Sequence, residues 1–197
     1  MRDPRTPRAS RRAIGAVRDP TPEVAALLRS GLQYGGRPFN VPSTLAHHPR
    51  LLRAFLAFAE VFLQESTIPD RDRELLTLRA SYRSGSEYYF GHHRRIGESL
   101  GLSSEEIAAV VDDEHQWPEQ DRLVLAAADE LVLDGVVSDP TWAELGERYD
   151  TDQILEIVML PGFYRMMAGL IASATIDRED GVAGWPEPTG SAEPLSG

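Results

Sequence analysis

The sequence predicts an all-α domain, and three observations lead there. Apolar residues recur at helical spacing in several segments. Helix-start and helix-stop residues punctuate those segments. No stretch alternates apolar and polar residues as a half-buried strand does. Taken in order, Pro22 stands at a first-turn position and a short helix is predicted over 23–31, closed by Gly31. Residues 35–49 (GGRPFNVPSTLAHHP) read as a loop. Over 50–64, Leu52, Phe55, Leu56, Ala59, Phe62 and Leu63 fall on one helical face. Pro69 opens the next helix, predicted to reach about Tyr82, and Asp70 and Asp72 suit its positive N-terminus.

Ser84-Gly85 breaks that helix. Ser84 and Glu87 then read as a Ser-x-x-Glu capping box for a helix over 85–100, which Gly101 stops. Ser103-Ser104-Glu105-Glu106 starts a short helix to about 112, and a loop through Trp117-Pro118 precedes a periodic helix over 119–134. Asp139-Pro140 opens a short helix to 148. Thr151 reads as the cap of a long apolar helix, 152–176, interrupted at Pro161-Gly162. The flanks differ in composition: residues 1–19, rich in Arg and Pro, and 181–197, rich in Pro and Gly, read as flexible tails around a folded unit of 20–180.

Composition excludes whole classes of chemistry. The 197 residues contain no Cys, which removes disulfides, thiolate metal ligands and thiol nucleophiles. All 20 basic residues are Arg, so no lysine Schiff base is possible. Net charge is −11. The first 19 residues hold six Arg and two Asp, or +4, which leaves −15 on the rest and argues against nucleic-acid binding. No uninterrupted apolar run approaches 18 residues, so no membrane partner is expected. Arg11-Arg12 is not followed by an apolar stretch of the kind an export signal needs, and a cytoplasmic protein is expected.

On the helix predicted over 85–100, Ser86, Tyr89, His93, Ile96 and Leu100 share a face, which places His93 in the stripe that meets the core. An inward histidine needs a polar partner, and Glu74 on the preceding helix is the natural one. A buried carboxylate–imidazole pair is proton-transfer equipment, because burial raises a carboxylate's pKa and a carboxylate raises that of an imidazole. Tyr89 adds a phenol. Ser86 adds a hydroxyl in the first turn, where free N–H groups favour an anion. Tyr88, Tyr164 and Arg165 are candidate substrate-binding residues, with Arg165 placed to pair a substrate carboxylate. Alternative readings stand beside these. Glu–His bonds between packed helices also occur as satisfied core pairs, and Tyr164 belongs equally well with Phe163, Met166, Met167 and Leu170 as core. His47 and His48 read as loop and helix-entry residues, and His92 as a surface or oligomer contact. No metal is expected, since a third ligand such as His115 is not placed near the others. No phosphate loop or nucleotide fingerprint is present, and no cofactor is expected.

The order Glu74-x11-Ser86-x2-Tyr89-x3-His93 resembles the active-site signature of the carboxymuconolactone decarboxylase and alkyl hydroperoxidase D superfamily. Supporting pieces run over about 38–176: Asn40 with Leu45-Ala46-His47-His48-Pro49, Arg73-Glu74-Leu75 with Leu78-Arg79, Gly101-Leu102-Ser103 with Glu105-Glu106-Ile107, and Asp129-Glu130-Leu131. The resemblance implies a helical bundle built from helix-pair units, here roughly 70–111 and 119–175. It also implies assembly as a homo-oligomer, for which the long apolar segment 152–176 supplies surplus surface. Carried across, Glu74 and His93 match the family's proton-relay residues, while Ser86 and Tyr89 occupy the slots of its two redox cysteines. Thiol peroxidase activity therefore does not transfer. In decarboxylase-like members the Tyr89 slot often holds Glu, so that reaction does not transfer directly either. The expected function is a cofactor-free lyase or isomerase acting by acid–base chemistry on a small carbonyl, lactone or carboxylate compound, with His93 as base, Glu74 as its orienting carboxylate, and Tyr89 and Ser86 as oxyanion donors. The alternatives are a non-catalytic small-molecule binding or assembly protein and an antioxidant role that would need a redox group from elsewhere.

Overall fold

In the computed structural model, which describes residues 13–31 and 33–186, the helices run in the order α1 (Pro22–Ser30), α2 (Asn40–Leu45), α3 (Pro49–Leu63), α4 (Asp70–Arg83), α5 (Glu87–Ser99), α6 (Ser104–Ala109), α7 (Glu119–Leu133), α8 (Asp139–Arg148) and α9 (Thr151–Ala174). The described residues are all-α apart from a two-residue antiparallel ladder, β1 (Gln33–Tyr34) with β2 (Arg37–Pro38); β2 and the helix α2 lie inside the segment 35–49 that was expected to be loop, and β1 just before it. Gly35 and Gly36 both adopt positive φ at its turn, a conformation Gly reaches without a Cβ clash.

α4 is the centre of the bundle and packs against α5, α7 and α9. Leu75, Leu76, Leu78 and Ala80 are fully buried, yet so are Asp72, Glu74, Arg79 and Ser81, so the helix is enclosed while remaining polar. Its charges are satisfied across helix interfaces. Arg71 pairs with Asp121 of α7 at 2.8 Å and Arg79 with Asp129 of α7 at 2.7 Å, which advances in the same direction along both helices and makes α4 and α7 parallel. Both helices open with the same pattern, Pro69-x-x-Asp72-Arg73 and Pro118-x-x-Asp121-Arg122. The buried Asp72 is met by Arg148 (2.6 Å) and by the Tyr149 hydroxyl (2.7 Å), as Asp121 is by Arg71. The two halves thus share a local design. Such buried pairs specify which helices meet more than they add net stability.

Two helix caps and one helix interior depart from expectation. Ser84 closes α4 instead of capping α5; the α5 cap is Ser86, whose hydroxyl accepts from Tyr89 N at 3.4 Å. The cap of α9 is Asp150, in a reciprocal box with Gln153, and not Thr151. α9 runs unbroken through Pro161-Gly162, because Pro161 is buried in a helix held on one side by the bundle and gives up only the bond to the Ile157 carbonyl.

By length and composition α9 is long and apolar enough to cross a membrane, which no run of the sequence was expected to be. Leu160, Phe163, Tyr164, Met167 and Ile171 are nonetheless buried against the bundle, as in a core helix.

The expected tails also need correction where they are described. Ile14 N–H donates to the Ala174 carbonyl and Val17 N–H to the Ser43 carbonyl, both at 2.9 Å, so residues 13–19 lie along the body. Val182 is buried, and the Trp185 ring packs 5.1 Å from Phe90 and 5.6 Å from Tyr82, which ties 181–186 to α5 and α4. A few apolar anchors outweigh the Pro/Gly composition there. The remainder of both tails, 1–12 and 187–197, lies outside the described residues.

Candidate functional site

The site is assembled by three helices and two peripheral segments. α4 supplies Glu74, α5 supplies Tyr88, Tyr89, His92 and His93, and α9 supplies Tyr164. Glu74 and His93 meet as expected: His93 Nδ1–H donates to Glu74 Oε2 at 2.7 Å, with Glu74 fully buried and also accepting from Arg73 Nε at 3.2 Å. With Nδ1 carrying the hydrogen, Nε2 is the acceptor, and the Tyr164 hydroxyl donates to it at 2.8 Å. Burial, and then the nearby Glu74 charge, push the Tyr164 phenol well above its ordinary value, so it remains a donor. The result is a continuous chain Tyr164–His93–Glu74 that fixes the imidazole tautomer.

His93 forms part of the wall of a cavity of about 330 Å³ enclosed between α5, α3 and the segment around α2. Most of its lining is apolar, including Phe39, Val41, Phe55, Leu56 and Ile96. Its buried polar groups lie on α5 at Tyr88, Tyr89, His92 and His93, and the exposed Ser30, Glu60 and Gln64 complete its polar lining. Tyr89 is 9% exposed, and its hydroxyl has no hydrogen-bond partner among the described residues. Burial, with a smaller contribution from the Glu179 charge, raises the Tyr89 phenol above its ordinary value, which keeps it protonated as a donor toward whatever enters.

A second carboxylate–imidazole pair lies beside the first. His92 Nε2 bonds Glu179 Oε2. The same carboxylate accepts from the Asn40 backbone N–H and the Tyr88 hydroxyl, both at 2.7 Å. Burial alone would raise the Glu179 pKa, but the bonds from His92, Asn40 and Tyr88 outweigh it and hold the carboxyl below its ordinary value. Burial first, then the bond to Glu179, raises the Tyr88 phenol. His92 was expected at the surface, yet it is 8% exposed, because Tyr34 and Phe39 stack edge-on against it at 5.7 and 4.8 Å. The spacing of Tyr88 and His92, one turn apart, was a usable signal; nothing in the run Asp177-Arg178-Glu179-Asp180 pointed to Glu179.

The other expected residues divide. Tyr88, Tyr89 and Tyr164 converge with His93. Ser86 does not line this cavity: it is buried at the α5 N-cap, with its hydroxyl turned back onto Tyr89 N. Arg165 is exposed on the outer side of α9, since the residue after an inward Tyr164 is rotated by about 100°. Glu87 accepts from Trp185 N at 3.2 Å and so anchors the C-terminal segment. His47 Nε2 meets the Gly15 carbonyl at 3.0 Å, and His48 caps α3 through Nδ1. His115 stacks on Trp117. Among the described residues no three His, Asp or Glu side chains are grouped as metal ligands.

Residues 49–129 match the model of the carboxymuconolactone decarboxylase family. No curated protein sequence matches the chain. Solved structures share the fold at low identity. An uncharacterized peroxidase-related protein from Silicibacter sp. TM1040 superposes with a TM-score of 0.74 at 17% identity, covering 92% of this chain and 97% of that one. The debrominase Bmp8 gives 0.72 at 18% identity, covering 85% and 92%, and a variant of it has been solved with 2,3,4-tribromopyrrole bound. An uncharacterized peroxidase-related protein from Ralstonia eutropha JMP134, described as an alkylhydroperoxidase AhpD core, gives 0.69 at 20% identity, covering 86% and 95%. The matched segment contains Glu74, Tyr89 and His93: over these residues the chain, which has no cysteine, is similar to the carboxymuconolactone decarboxylase family, and it shares its fold with the alkylhydroperoxidase AhpD core.

Proposed function

We propose that this protein is a cofactor-free acid–base enzyme of the lyase or isomerase type, acting on a small, largely apolar carbonyl, lactone or carboxylate compound. The observation that carries this reading is the Tyr164–His93–Glu74 chain beside an apolar cavity that His93 lines, with the Tyr89 hydroxyl unpartnered among the described residues. His93 accepts a proton from the substrate, and Glu74 stabilises the imidazolium that forms. Tyr164 yields its bond to Nε2 as the acidic hydrogen of the substrate arrives, exchanging one hydrogen bond for another. Tyr89 donates to the oxygen on which negative charge develops. The cavity volume of about 330 Å³ suits a compound of one or two small rings. A debrominase on the same fold, solved with a small halogenated heterocycle bound, supports the size and apolar character of the substrate. Thiol peroxidase chemistry has no residue to carry it, since the chain lacks Cys. The exposed side of α9 fits self-association of the chain.

A second reading is favoured by one observation: both ring nitrogens of His93 are already occupied, as in a satisfied structural pair. On that reading the protein binds its small molecule without turning it over. A paired incubation separates the two. Wild type and His93→Gln, each checked for folding by circular dichroism, are mixed with metabolite extract from the host and compared by untargeted mass spectrometry. A compound consumed by wild type alone, with a product of equal mass or lighter by water or carbon dioxide, supports the enzyme. Retention of a compound by both proteins with no product supports the binder.

A further inference from the structure

The cavity presents two adjacent histidines whose hydrogen bonding differs. His93 has Glu74 on Nδ1 and Tyr164 on Nε2, whereas His92 has Glu179 on Nε2 and no partner on Nδ1 among the described residues. We infer that His92 is a second proton-transfer residue of this cavity, oriented by Glu179, and that the protein relocates a proton between two positions of one substrate. The inference rests on the reading of the cavity as an acid–base site and narrows it to isomerisation.

The geometry supports this in three respects. First, Glu179 is a built partner and no chance neighbour. It is held by Asn40 N–H of α2 and by Tyr88 O–H and His92 of α5, which engages both of its oxygens and fixes the His92 ring. As a carboxylate it only accepts, so Nε2 carries the hydrogen and Nδ1 keeps its lone pair. Second, the imidazole is walled by Tyr34, Phe39 and Tyr88 at ring separations of 5.7, 4.8 and 4.9 Å, a dry surround that strengthens polar interactions with a ligand. Third, consecutive residues on a helix diverge by about 100°, so His92 and His93 address the cavity from different directions and cannot serve one atom together. Two imidazoles at different angles, with Tyr89 lining the same cavity and lying between them in angle around the α5 axis, match a carbonyl compound that has acidic C–H positions on both sides of a conjugated system.

The step balances without a co-reactant. One imidazole accepts the proton as the C–H bond breaks, and the electron pair moves into an enolate whose oxygen accepts from Tyr89. The other, entering protonated, delivers a proton to a second carbon as the carbonyl re-forms. The two imidazoles end with their protonation exchanged and reset through solvent.

The test uses the full chain in deuterium oxide with cyclohexenone and cyclopentenone as probes, and reads deuterium incorporation at the α′ and γ positions by NMR. Wild type is expected to accelerate exchange at two positions of at least one probe. His92→Gln and Glu179→Gln are expected to lose tenfold or more at one position, and His93→Gln and Glu74→Gln at the other. If His92→Gln and Glu179→Gln exchange both positions at the wild-type rate while His93→Gln has lost both, the second relay is overturned and the acid–base reading stands. If wild type accelerates no exchange with any probe, both fall. A measurement free of substrate guards against misfolded variants: long-range proton–nitrogen NMR of the wild-type imidazoles is expected to show His92 as the Nε2–H tautomer, and an Nδ1–H tautomer overturns the inference.

Discussion

The Tyr164 hydroxyl donates to His93 Nε2 at 2.8 Å across 71 residues of sequence, joining the last helix of the bundle to the Glu74–His93 pair. Phenylalanine at 164 removes that donor without changing the packing shape. Expected is a loss of about 1–2 kcal/mol, a fall of roughly 2–8 °C in Tm for a domain of this size. Acylation of His93 by diethyl pyrocarbonate should become faster, because Nε2 is freed. Urea denaturation and peptide mapping check the two effects separately.

Glu74 is fully buried between Arg73 and His93. Glu74→Ala strands both partners and is expected to cost about 3–5 kcal/mol. Glu74→Gln keeps the shape and one acceptor and should cost less than half as much. Equal losses in chemical denaturation would mean that the carboxylate charge is not what the pocket requires.

Gly91 sets how closely the C-terminal segment approaches α5. A Cβ there would strike the Ala183 carbonyl oxygen and come within 2.8 Å of Val182 Cγ1. Gly91→Ala is therefore expected to lift residues 181–186 off the helix while α5 itself remains. Limited proteolysis should cut the variant near 180 faster than wild type. An unchanged cleavage rate would show that the segment is not held by this contact.

Acid should loosen the protein through two carboxylates. Burial alone would raise Asp129, but its bonds to Arg83 and Arg79 prevail and lower it from the ordinary 3.8. Glu179 is likewise held below its ordinary 4.5. A depressed carboxylate contributes its stability in full above its unfolded value and loses it as pH falls through the folded one. Stability should accordingly be flat above about pH 5 and decline steadily below pH 4, and Asp129→Asn should flatten part of that decline. Urea midpoints between pH 3 and 7 measure it.

Leu155, Met159 and Met166 on α9 are 57%, 51% and 58% exposed, and with Gly162 and Gly169 they follow the alternating spacing of four and three that a helix–helix seam uses. Nothing stands within 4 Å of a Cβ built at either glycine. Self-association through this seam predicts a mass above one chain by light scattering at micromolar concentration. Met159→Glu with Met166→Glu should reduce it to one chain, and a monomeric wild type would sink the proposal.

Sequence alone determined the helices and the first half of the site. Helical stripes, prolines at first turns and glycine stops depend on neighbours a few residues apart, and so are legible locally. The pairing of Glu74 with His93 was legible because the short break after Tyr82 forces α4 and α5 together. Only the tertiary structure decided that Ser86 caps a helix while Arg165 faces outward, that Tyr164 completes the His93 chain, and that Glu179 reaches back to His92. Those contacts join α5 to segments more than 70 residues away. What brings them together is burial of Ile176, Val182 and Trp185 against the bundle, a consequence of the whole core and not of any local pattern. For the same reason α4 looked unremarkable in sequence: its charges find their partners on α7 and on the α8–α9 turn, and only those partners make so polar a helix a core element.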